Sequence, residues 1–312
     1  MQPTVRDHAL ADGLRAGQAA VEEGLLRATK SDVPFITEAA RELTRMAGRR
    51  LRPLLVLLAA RFGDPGAPGV LPAAVVVELT HLAIHYHDDV RDEAAVRRDA
   101  PRPDANWDNT VAVLIGDFLF ARASHILADL GPEAVRIQAQ AFRRQVTGQI
   151  LETTGPREGR DPVEHHLDVL ASRTGALTAV SGRLGALAAG ADPGVEDALA
   201  RYGERLGVAS HLADEVATPT GRRPTLPVLL LARDADRELY DLLTGPVERA
   251  GYAAAVARLR THPVLDRARE ETARQADAAR AALSPLPDCP ARDALESLCE
   301  TVAAPRAPSS CG

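Results

Sequence analysis

Apolar residues recur at helical spacing along almost the whole of this 312-residue sequence. The pattern breaks at clusters of proline and glycine, such as GDPGAPGV at 63–70. Alanine and leucine dominate the segments between the breaks, whereas aromatic residues make up 3% of the chain. Because Ala and Leu are strong helix formers and the aromatic residues that favour strands are scarce, the sequence predicts an all-α fold.

The predicted helices follow one another through short connections. They cover the ranges 5–29, 36–48, a segment from 52, 71–96, 108–130, 132–154, 162–190, 195–217, 224–243, 246–260, 264–283 and 290–303. No connection has the composition of an interdomain linker. We therefore expect residues 1–312 to form a single helical domain, with 305–312 as a frayed tail.

The net charge and the cysteine content indicate which partners and which cellular compartment to expect. The net charge is −6 and no long basic tract occurs, so nucleic acid is not an expected partner. The three cysteines Cys289, Cys299 and Cys311 are an odd number without a disulfide framework, which is typical of a reducing cytoplasm. The charged N-terminus has no apolar leader, and the run LLVLLAARFG at 54–63 is too short for a bilayer. We expect a cytoplasmic protein without an integral membrane segment.

The segment HYHDDVRDEAAVRRD at 85–99 concentrates acids at the end of a predicted helix. Asp88, Asp89 and Asp92 share one helical face, where each like-charged pair costs about 0.2–0.5 kcal/mol. Acids late in a helix also oppose its dipole. A solvated helix end would tolerate both costs, but the preceding run AAVVVELTHLAI is apolar enough to be buried. That context favours a divalent-cation site, since carboxylates and phosphate oxygens are the ligands that Mg²⁺ prefers.

This segment resembles the first aspartate-rich motif, DDxxD followed by RR, of the trans-prenyl (polyprenyl) diphosphate synthase family. GRRLRP at 48–53 is similar to the family's GKxxRP element, and His81 lies seven residues before Asp88, where the family has a histidine. GDFLFA within 107–123, GQILE at 148–152 and SRTGAL at 172–177 are similar to further family elements, in the same order along the chain. The resemblance implies a helical bundle of the isoprenoid synthase type with a central active-site cavity.

The resemblance also implies a reaction and its residues. An allylic prenyl diphosphate ionises to an allylic cation, and the double bond of isopentenyl diphosphate attacks that cation. About two or three Mg²⁺ ions would be bound with the diphosphate. The product would be a trans-prenyl diphosphate of C15 to C20 or longer, made by a homodimer. The implied metal ligands are Asp88, Asp89 and Asp92, and the implied allylic diphosphate ligands are Arg97, Arg173 and Thr174. The implied isopentenyl diphosphate ligands are Arg49, Arg52, His81 and Arg98, with Gln149 and Glu152 as further polar groups near the cation.

Structural roles remain open for some of these residues taken singly. Arg49 and Arg52 are also suited to capping the carbonyls of a preceding helix, and His81 to a place in the core. Their joint occurrence at family spacing favours the phosphate role.

The second aspartate-rich motif of the family is altered in this chain. In ASHLADEVATPTGRRPTLPVLLL at 209–231, Asp214 is kept, Glu215 replaces the next Asp, and Thr218 stands where the last Asp belongs. The basic lid loop that follows in the family is shortened here. We expect Asp214 and Glu215 to complete the metal site. The altered motif leaves open two alternative functions. The first is a class I terpene cyclase, or a prenyltransferase to an acceptor other than isopentenyl diphosphate, on the same fold. The second is a non-catalytic partner subunit of a prenyl synthase.

Overall fold

The computed structural model describes residues 3–46, 50–96, 109–218, 225–233, 236–245 and 251–304, without the side chains of 42–46, 89–96, 109 and 233. The predicted all-α fold is confirmed, and these residues contain no strand. The helices are α1 (His8–Ala28), α2 (Pro34–Met46), α3 (Leu51–Ala59), α4 (Val70–Val96), α5 (Asn109–Leu130), α6 (Pro132–Thr154), α7 (Pro162–Leu170), α8 (Ala176–Ala188), α9 (Pro193–Ala217), α10 (Leu226–Arg233), α11 (Arg237–Thr244), α12 (Tyr252–Leu259), α13 (Val264–Ala282) and α14 (Pro290–Ala303).

Most predicted helices agree with the observed ones to within a few residues, and two differ in kind. The helix predicted over 162–190 contains a π-helical segment at Ala171–Gly175, between α7 and α8. The single helix predicted over 224–243 is instead α10 and α11, because the Asp236 side chain accepts the backbone N–H of Leu239 and starts a new helix. Helical periodicity continues across both interruptions, so apolar spacing alone did not reveal them.

The chain divides into two compact units. The N-terminal unit comprises Val5–Ala139 and Val180–Asp197, and the C-terminal unit comprises Met1–Thr4, Gln140–Ala179 and Ala198–Gly312. The boundaries at 139/140, 179/180 and 197/198 fall within α6, α8 and α9. No boundary coincides with a linker in the sequence.

The core of the N-terminal unit is built on α4. Its first half is apolar on every side, and Val76, Val77 and Leu79 are wholly buried. Gly24 of α1 lets that helix approach closely, since a Cβ at this position would lie 2.6 Å from a methyl carbon of Val75. The apolar run before the aspartates is therefore a core segment, as the sequence predicted.

Helix α5 packs along α4 through a ridge of buried residues spaced one turn apart, namely Ile115, Leu119, Ala123 and Leu127. Its window Thr110–Leu130 is the one segment of the described helices that has the length and hydropathy of a membrane span. Length and hydropathy do not separate a bilayer span from a helix that packs in a protein core or interface.

In the C-terminal unit, α10 is the centre of an apolar cluster. Val228 and Leu231 of α10 are fully buried among residues of α7, α9, α11, α12 and α13. Tyr202 of α9 is also buried, and its hydroxyl donates to the Leu295 carbonyl of α14 at 2.8 Å. This packing fixes the end of α9, which carries the altered second motif.

Candidate active site

The aspartate-rich motif lies on the last turns of α4, in the N-terminal unit. Helix α4 continues through Asp88, Asp89 and Asp92 to Val96, so the three residues share one face as predicted. The Asp88 side chain is partly exposed, whereas the side chains of Asp89 and Asp92 lie outside the described part of the structure. The predicted phosphate ligands Arg49, Arg97 and Arg98 also lie outside the described residues.

His87 holds this end of α4 against α5. Its Nε2 lies 3.3 Å from the Val113 carbonyl oxygen and 3.3 Å from the Asp117 carboxylate. Gly116 makes the approach possible, because a Cβ there would lie 2.5 Å from the same Nε2 atom. The Gly-Asp pair of the GDFLFA segment thus has a structural use: it anchors the residue that precedes the aspartates.

A buried charge cluster lies two to three turns before the aspartates on α4. Glu78 is almost fully buried, and Nη1 of Arg50 donates to its Oε1 at 2.9 Å. Arg50 also donates to Glu22 of α1, through Nη2 at 2.9 Å. Arg50 is thus engaged by two carboxylates. The Nε of Arg52, by contrast, is buried and has no hydrogen-bond partner among the described residues.

The pKa shifts in this cluster follow from burial and from the neighbouring charges. Burial lowers the pKa of Arg52, and the charge on Glu78 opposes that shift. Burial lowers the pKa of His81 well below its ordinary value, and the positive charges of Arg52 and His85 lower it further. Burial raises the pKa of Glu78, although Arg52 and Arg50 oppose the change. An anion placed beside Arg52 and His81 would oppose these downward shifts, because a nearby negative charge favours the charged form of each group.

In the C-terminal unit, Arg173 and Thr174 lie in the π-helical segment, where a widened turn often accompanies function. Arg173 Nη1 donates to the Glu152 carboxylate of α6 at 2.6 Å. Gly148 of α6 allows the close approach, because a Cβ there would lie 2.9 Å from Arg173 Cγ. Arg173 and Glu152, which the sequence singled out separately, therefore form a salt bridge within one unit.

The end of α9 presents its two acids differently. Asp214 is exposed, whereas the Glu215 carboxylate is largely buried. Nε2 of His166 on α7 lies 3.0 Å from Glu215 Oε1, and the backbone N–H of Leu226 donates to Glu215 Oε2 at 2.9 Å. The sequence placed both acids in the metal site, but the Glu215 oxygens have protein partners.

His211 connects this end of α9 to the π-helical segment. Its Nδ1 lies 3.3 Å from the Thr174 hydroxyl, and its Nε2 lies 3.7 Å from Glu215 Oε1. Burial lowers the pKa of His211, whereas the charge on Glu215 raises it. Thr174, His211 and Glu215 thus form a contiguous polar chain.

The structure groups some of the predicted residues and adds others. Arg52 and His81 lie in one charge cluster, and Arg173 and Thr174 are adjacent in the π-helical segment. Gln149 lies on the same turn of α6 as Gly148 and is partly buried.

Sequence reasoning missed Glu78 and His166. Glu78 had a signal, since it is a lone charge in an apolar run three residues before His81, but nothing in the sequence distinguished His166 from His165.

Comparison with known proteins assigns this arrangement to a family. The family model described as polyprenyl synthetase matches residues 33–225. A nonaprenyl diphosphate synthase of Mycobacterium tuberculosis is 39% identical over 94% of this chain and 93% of its own length. A heptaprenyl diphosphate synthase component 2 of Geobacillus stearothermophilus is 34% identical over 90% of this chain and 93% of its own length.

Solved structures of prenyl diphosphate synthases can be superposed on nearly the full chain. A geranylgeranyl pyrophosphate synthase of Corynebacterium glutamicum, complexed with calcium and isoprenyl diphosphate, matches with a TM-score of 0.85 and 37% identity over 96% of this chain and 98% of its own. A decaprenyl diphosphate synthase of Rhodobacter capsulatus matches with a TM-score of 0.82 and 31% identity over 95% of this chain and 98% of its own. With its aspartate-bearing helix and its all-α fold, the chain belongs to the polyprenyl synthetase family and is a prenyltransferase.

Proposed function

We propose that the protein condenses an allylic prenyl diphosphate with isopentenyl diphosphate to give a longer trans-prenyl diphosphate. One observation carries the proposal: α4 presents His81 and Asp88, seven residues apart, on one face. At the rise of an α-helix this separation is about 10 Å. A cationic pocket and a carboxylate cluster at this spacing suit two diphosphate groups, one held by cations and one held through metal.

Isopentenyl diphosphate is assigned to the cationic end. The Nε of Arg52, which has no hydrogen-bond partner among the described residues, offers a buried donor to an oxyanion, and His81 lies in the same charge cluster. Arg50 is not assigned to the substrate, because Glu22 and Glu78 engage it. Arg49 and Arg98 are assigned to the same diphosphate from their positions in the family motifs alone.

The metal site is assigned to Asp88, Asp89 and Asp92 of α4, with Asp214 of α9. These carboxylates fit Mg²⁺, a hard cation that takes a few protein carboxylates and completes its shell with phosphate oxygens and water. Among the side chains that the structure describes, no three His, Cys, Asp or Glu residues converge on one point. When bound, Mg²⁺ would neutralise the charge that develops on the leaving diphosphate.

The allylic diphosphate is assigned to Arg97, Arg173 and Thr174, with Gln149 near the cation. Glu152 orients the Arg173 guanidinium through their salt bridge, which reduces the rotamer freedom lost on binding. The Thr174 hydroxyl is oriented in turn by His211. These contacts would position the C1–O bond that breaks.

The reaction balances without a further reactant. The C1–O bond of the allylic diphosphate breaks, and the leaving diphosphate keeps the electron pair. The double bond of isopentenyl diphosphate then attacks the allylic carbon, and the resulting cation loses a proton. In this proposal the residues of the chain bind both diphosphates, so that the allylic cation forms beside the double bond that attacks it.

The product is assigned as C15 to C20 or longer. Ala83, the fifth residue before Asp88, is small and almost fully buried, so it offers no bulky stop at that turn of α4. The ring of Tyr86 is fixed by its hydroxyl, which donates to the Ala39 carbonyl of α2.

The proposal includes three further properties: the chain forms one domain, it assembles as a homodimer, and it is cytoplasmic. Three of the four unit boundaries fall within helices, which favours one domain. Val113 and Leu114 of α5 are exposed apolar residues on one face of that helix, which suits a subunit interface. Cys289 and Cys299 are free thiols, as expected in a reducing compartment.

Product analysis tests the proposed function. The purified protein is incubated with Mg²⁺ and a C5, C10 or C15 allylic diphosphate, with and without isopentenyl diphosphate. We expect elongated diphosphates that require isopentenyl diphosphate. We expect Asp88→Asn to lower turnover at least about 100-fold, because a carboxylate that acts in the transition state is lost. Asp129→Asn, an exposed change on α5, is the matched control and should retain activity.

Other outcomes separate the alternatives. Hydrocarbons or alcohols formed without isopentenyl diphosphate would contradict elongation and support a terpene cyclase. Inactivity alone, combined with altered products when an active synthase is added, would support a partner subunit. One relative is named as component 2 of its synthase, so the mixing experiment is included from the start.

A further inference from the structure

We propose that Glu215 is a positioning residue that joins the end of α9 to the start of α10, and that Asp214 alone of these two acids serves the metal. We call the Glu215 carboxylate, the His166 imidazole and the Leu226 backbone N–H the Glu215 clasp. The proposal rests on the proposed function for its account of Asp214. The clasp itself can be tested without substrate.

The clasp satisfies both oxygens of one carboxylate. Oε2 of Glu215 accepts the Leu226 N–H at 2.9 Å, and His166 Nε2 lies 3.0 Å from Oε1 and 3.2 Å from Oε2. The Glu215 and His166 side chains are 9% and 13% exposed. An ionised carboxylate only accepts hydrogen bonds, so His166 Nε2 carries the proton that it donates. A carboxylate enclosed in this way would have to give up protein donors to ligate a metal.

The Leu226 N–H is a group that requires a partner. Leu226 is the first residue of α10, and the first N–H groups of a helix have no acceptor within it. Glu215 supplies that acceptor from α9, and a negative charge at a helix N-terminus is also favoured by the helix dipole. Thr225 and Leu226 are buried, so water is a poor substitute for the carboxylate.

The clasp also separates the roles of two adjacent acids. Successive residues on a helix point about 100° apart, and here the two carboxylates have different surroundings. Glu215 faces α7 and α10, whereas Asp214 is exposed. Through its contact with His211, the clasp continues to Thr174 in the π-helical segment. A disturbance at Glu215 would thus shift the last turn of α9 and a predicted substrate contact together.

The first experiment measures metal binding directly. Mn²⁺ is titrated calorimetrically into the full-length protein in the presence of inorganic pyrophosphate. We expect Glu215→Gln, which keeps an acceptor for Leu226, to bind Mn²⁺ within about 3-fold of the unaltered protein. We expect Asp214→Asn to weaken binding by at least about 10-fold, since it removes a ligand. Equal weakening in both variants would overturn the proposal, because Glu215 would then be a ligand too.

The second experiment measures the clasp by hydrogen exchange of the first-turn amides of α10, with no substrate present. We expect Glu215→Ala and His166→Ala each to speed exchange at Leu226 by about 10-fold or more, because local opening becomes easier. Glu164→Ala, an exposed change on α7, is the matched control and should leave exchange unchanged. Unchanged protection in Glu215→Ala would contradict the clasp. If that variant does not fold, His166→Ala alone decides between the same two outcomes.

The two proposals fail in different ways. If Asp88→Asn still elongated its substrate, the proposed metal mechanism would be contradicted, but the Leu226 exchange result would not be affected. Unchanged Leu226 exchange in an active enzyme would remove the clasp and leave the proposed function standing.

Discussion

Glu78 is placed to support the proposed isopentenyl diphosphate site without being one of its ligands. It lies in the apolar half of α4, one turn before His81, and its carboxylate is bonded to Arg50 and close enough to Arg52 to oppose the fall in its pKa. A buried acid between two arginines lets both remain charged in a low-dielectric setting. We infer that Glu78 maintains the cationic end of the site, while Arg52 is left to bind the anion.

Replacing Glu78 tests this inference. We expect Glu78→Ala to lower the free energy of unfolding by about 3–5 kcal/mol, because it leaves the buried Arg52 without its neighbouring counter-charge and Arg50 with Glu22 alone. Urea denaturation followed by circular dichroism measures the change. Glu23→Ala is the control: its carboxylate is 73% exposed and 3.6 Å from Arg27, so we expect a change within about 0.5 kcal/mol. Similar losses in both variants would refute a special role for Glu78.

At the scale of elements, the approach of α6 to the π-helical segment decides where Arg173 lies. A Cβ at position 148 would lie 2.8 Å from Ser172 Cβ and 3.2 Å from the Arg173 backbone nitrogen, so only glycine fits without movement. The widened turn at Ala171–Gly175 brings Arg173 opposite Glu152. Gly148 of α6 and the π-helical segment that follows α7 therefore together position the Arg173 side chain.

An alanine scan of two helical glycines separates packing from helix propensity. We expect Gly148→Ala to lower kcat/KM by about 10-fold or more, because displacement of a positioning group by a fraction of an ångström weakens transition-state binding. Its stability should fall by about 1–3 kcal/mol through overpacking, less the roughly 1 kcal/mol that alanine gains in a helix.

Gly194→Ala in α9 is the matched control, since a Cβ there meets nothing within 4 Å. Steady-state kinetics and chemical denaturation of both variants provide the measurement. Full activity in Gly148→Ala would show that this approach does not position Arg173.

At the scale of the whole molecule, α5 carries the apolar surface on which the proposed homodimer depends. One side of α5 is buried against α4, and the other side exposes Val113 and Leu114, the latter 60% exposed. The same helix has the hydropathy of a membrane span. An apolar helix face of this kind is covered by another subunit in many obligate dimers, whose interfaces are more hydrophobic than the remaining surface.

A charge on this face should prevent dimer formation. We expect the unaltered protein to have twice the chain mass of 33.2 kDa by light scattering, and Leu114→Glu to have the mass of one chain. Leu26→Glu, which alters an exposed leucine on α1, is the control and should remain dimeric. A monomeric unaltered protein would contradict the predicted homodimer. A dimeric Leu114→Glu variant would place the interface elsewhere.

Much of the fold could be predicted because it depends on local regularities. Helix bounds such as those of α6 follow from apolar spacing and from proline at the first turn, and the aspartates share a face because of helical geometry alone. The π-helical segment and the break between α10 and α11 could not be predicted in this way. Both depend on packing or on a capping side chain within an apolar pattern that continues unchanged.

The sequence by itself determined the all-α class, the placement of Asp88, Asp89 and Asp92 on one helix, and the family. Those features are carried by periodicity and by motifs of neighbouring residues. Only the tertiary structure decided which charged side chains have protein partners. Arg50 is engaged by Glu22 and Glu78, and Glu215 by His166 and Leu226, across separations of 11 to 49 residues in sequence. Such pairings depend on burial and on distances between helices, and no local pattern encodes either one.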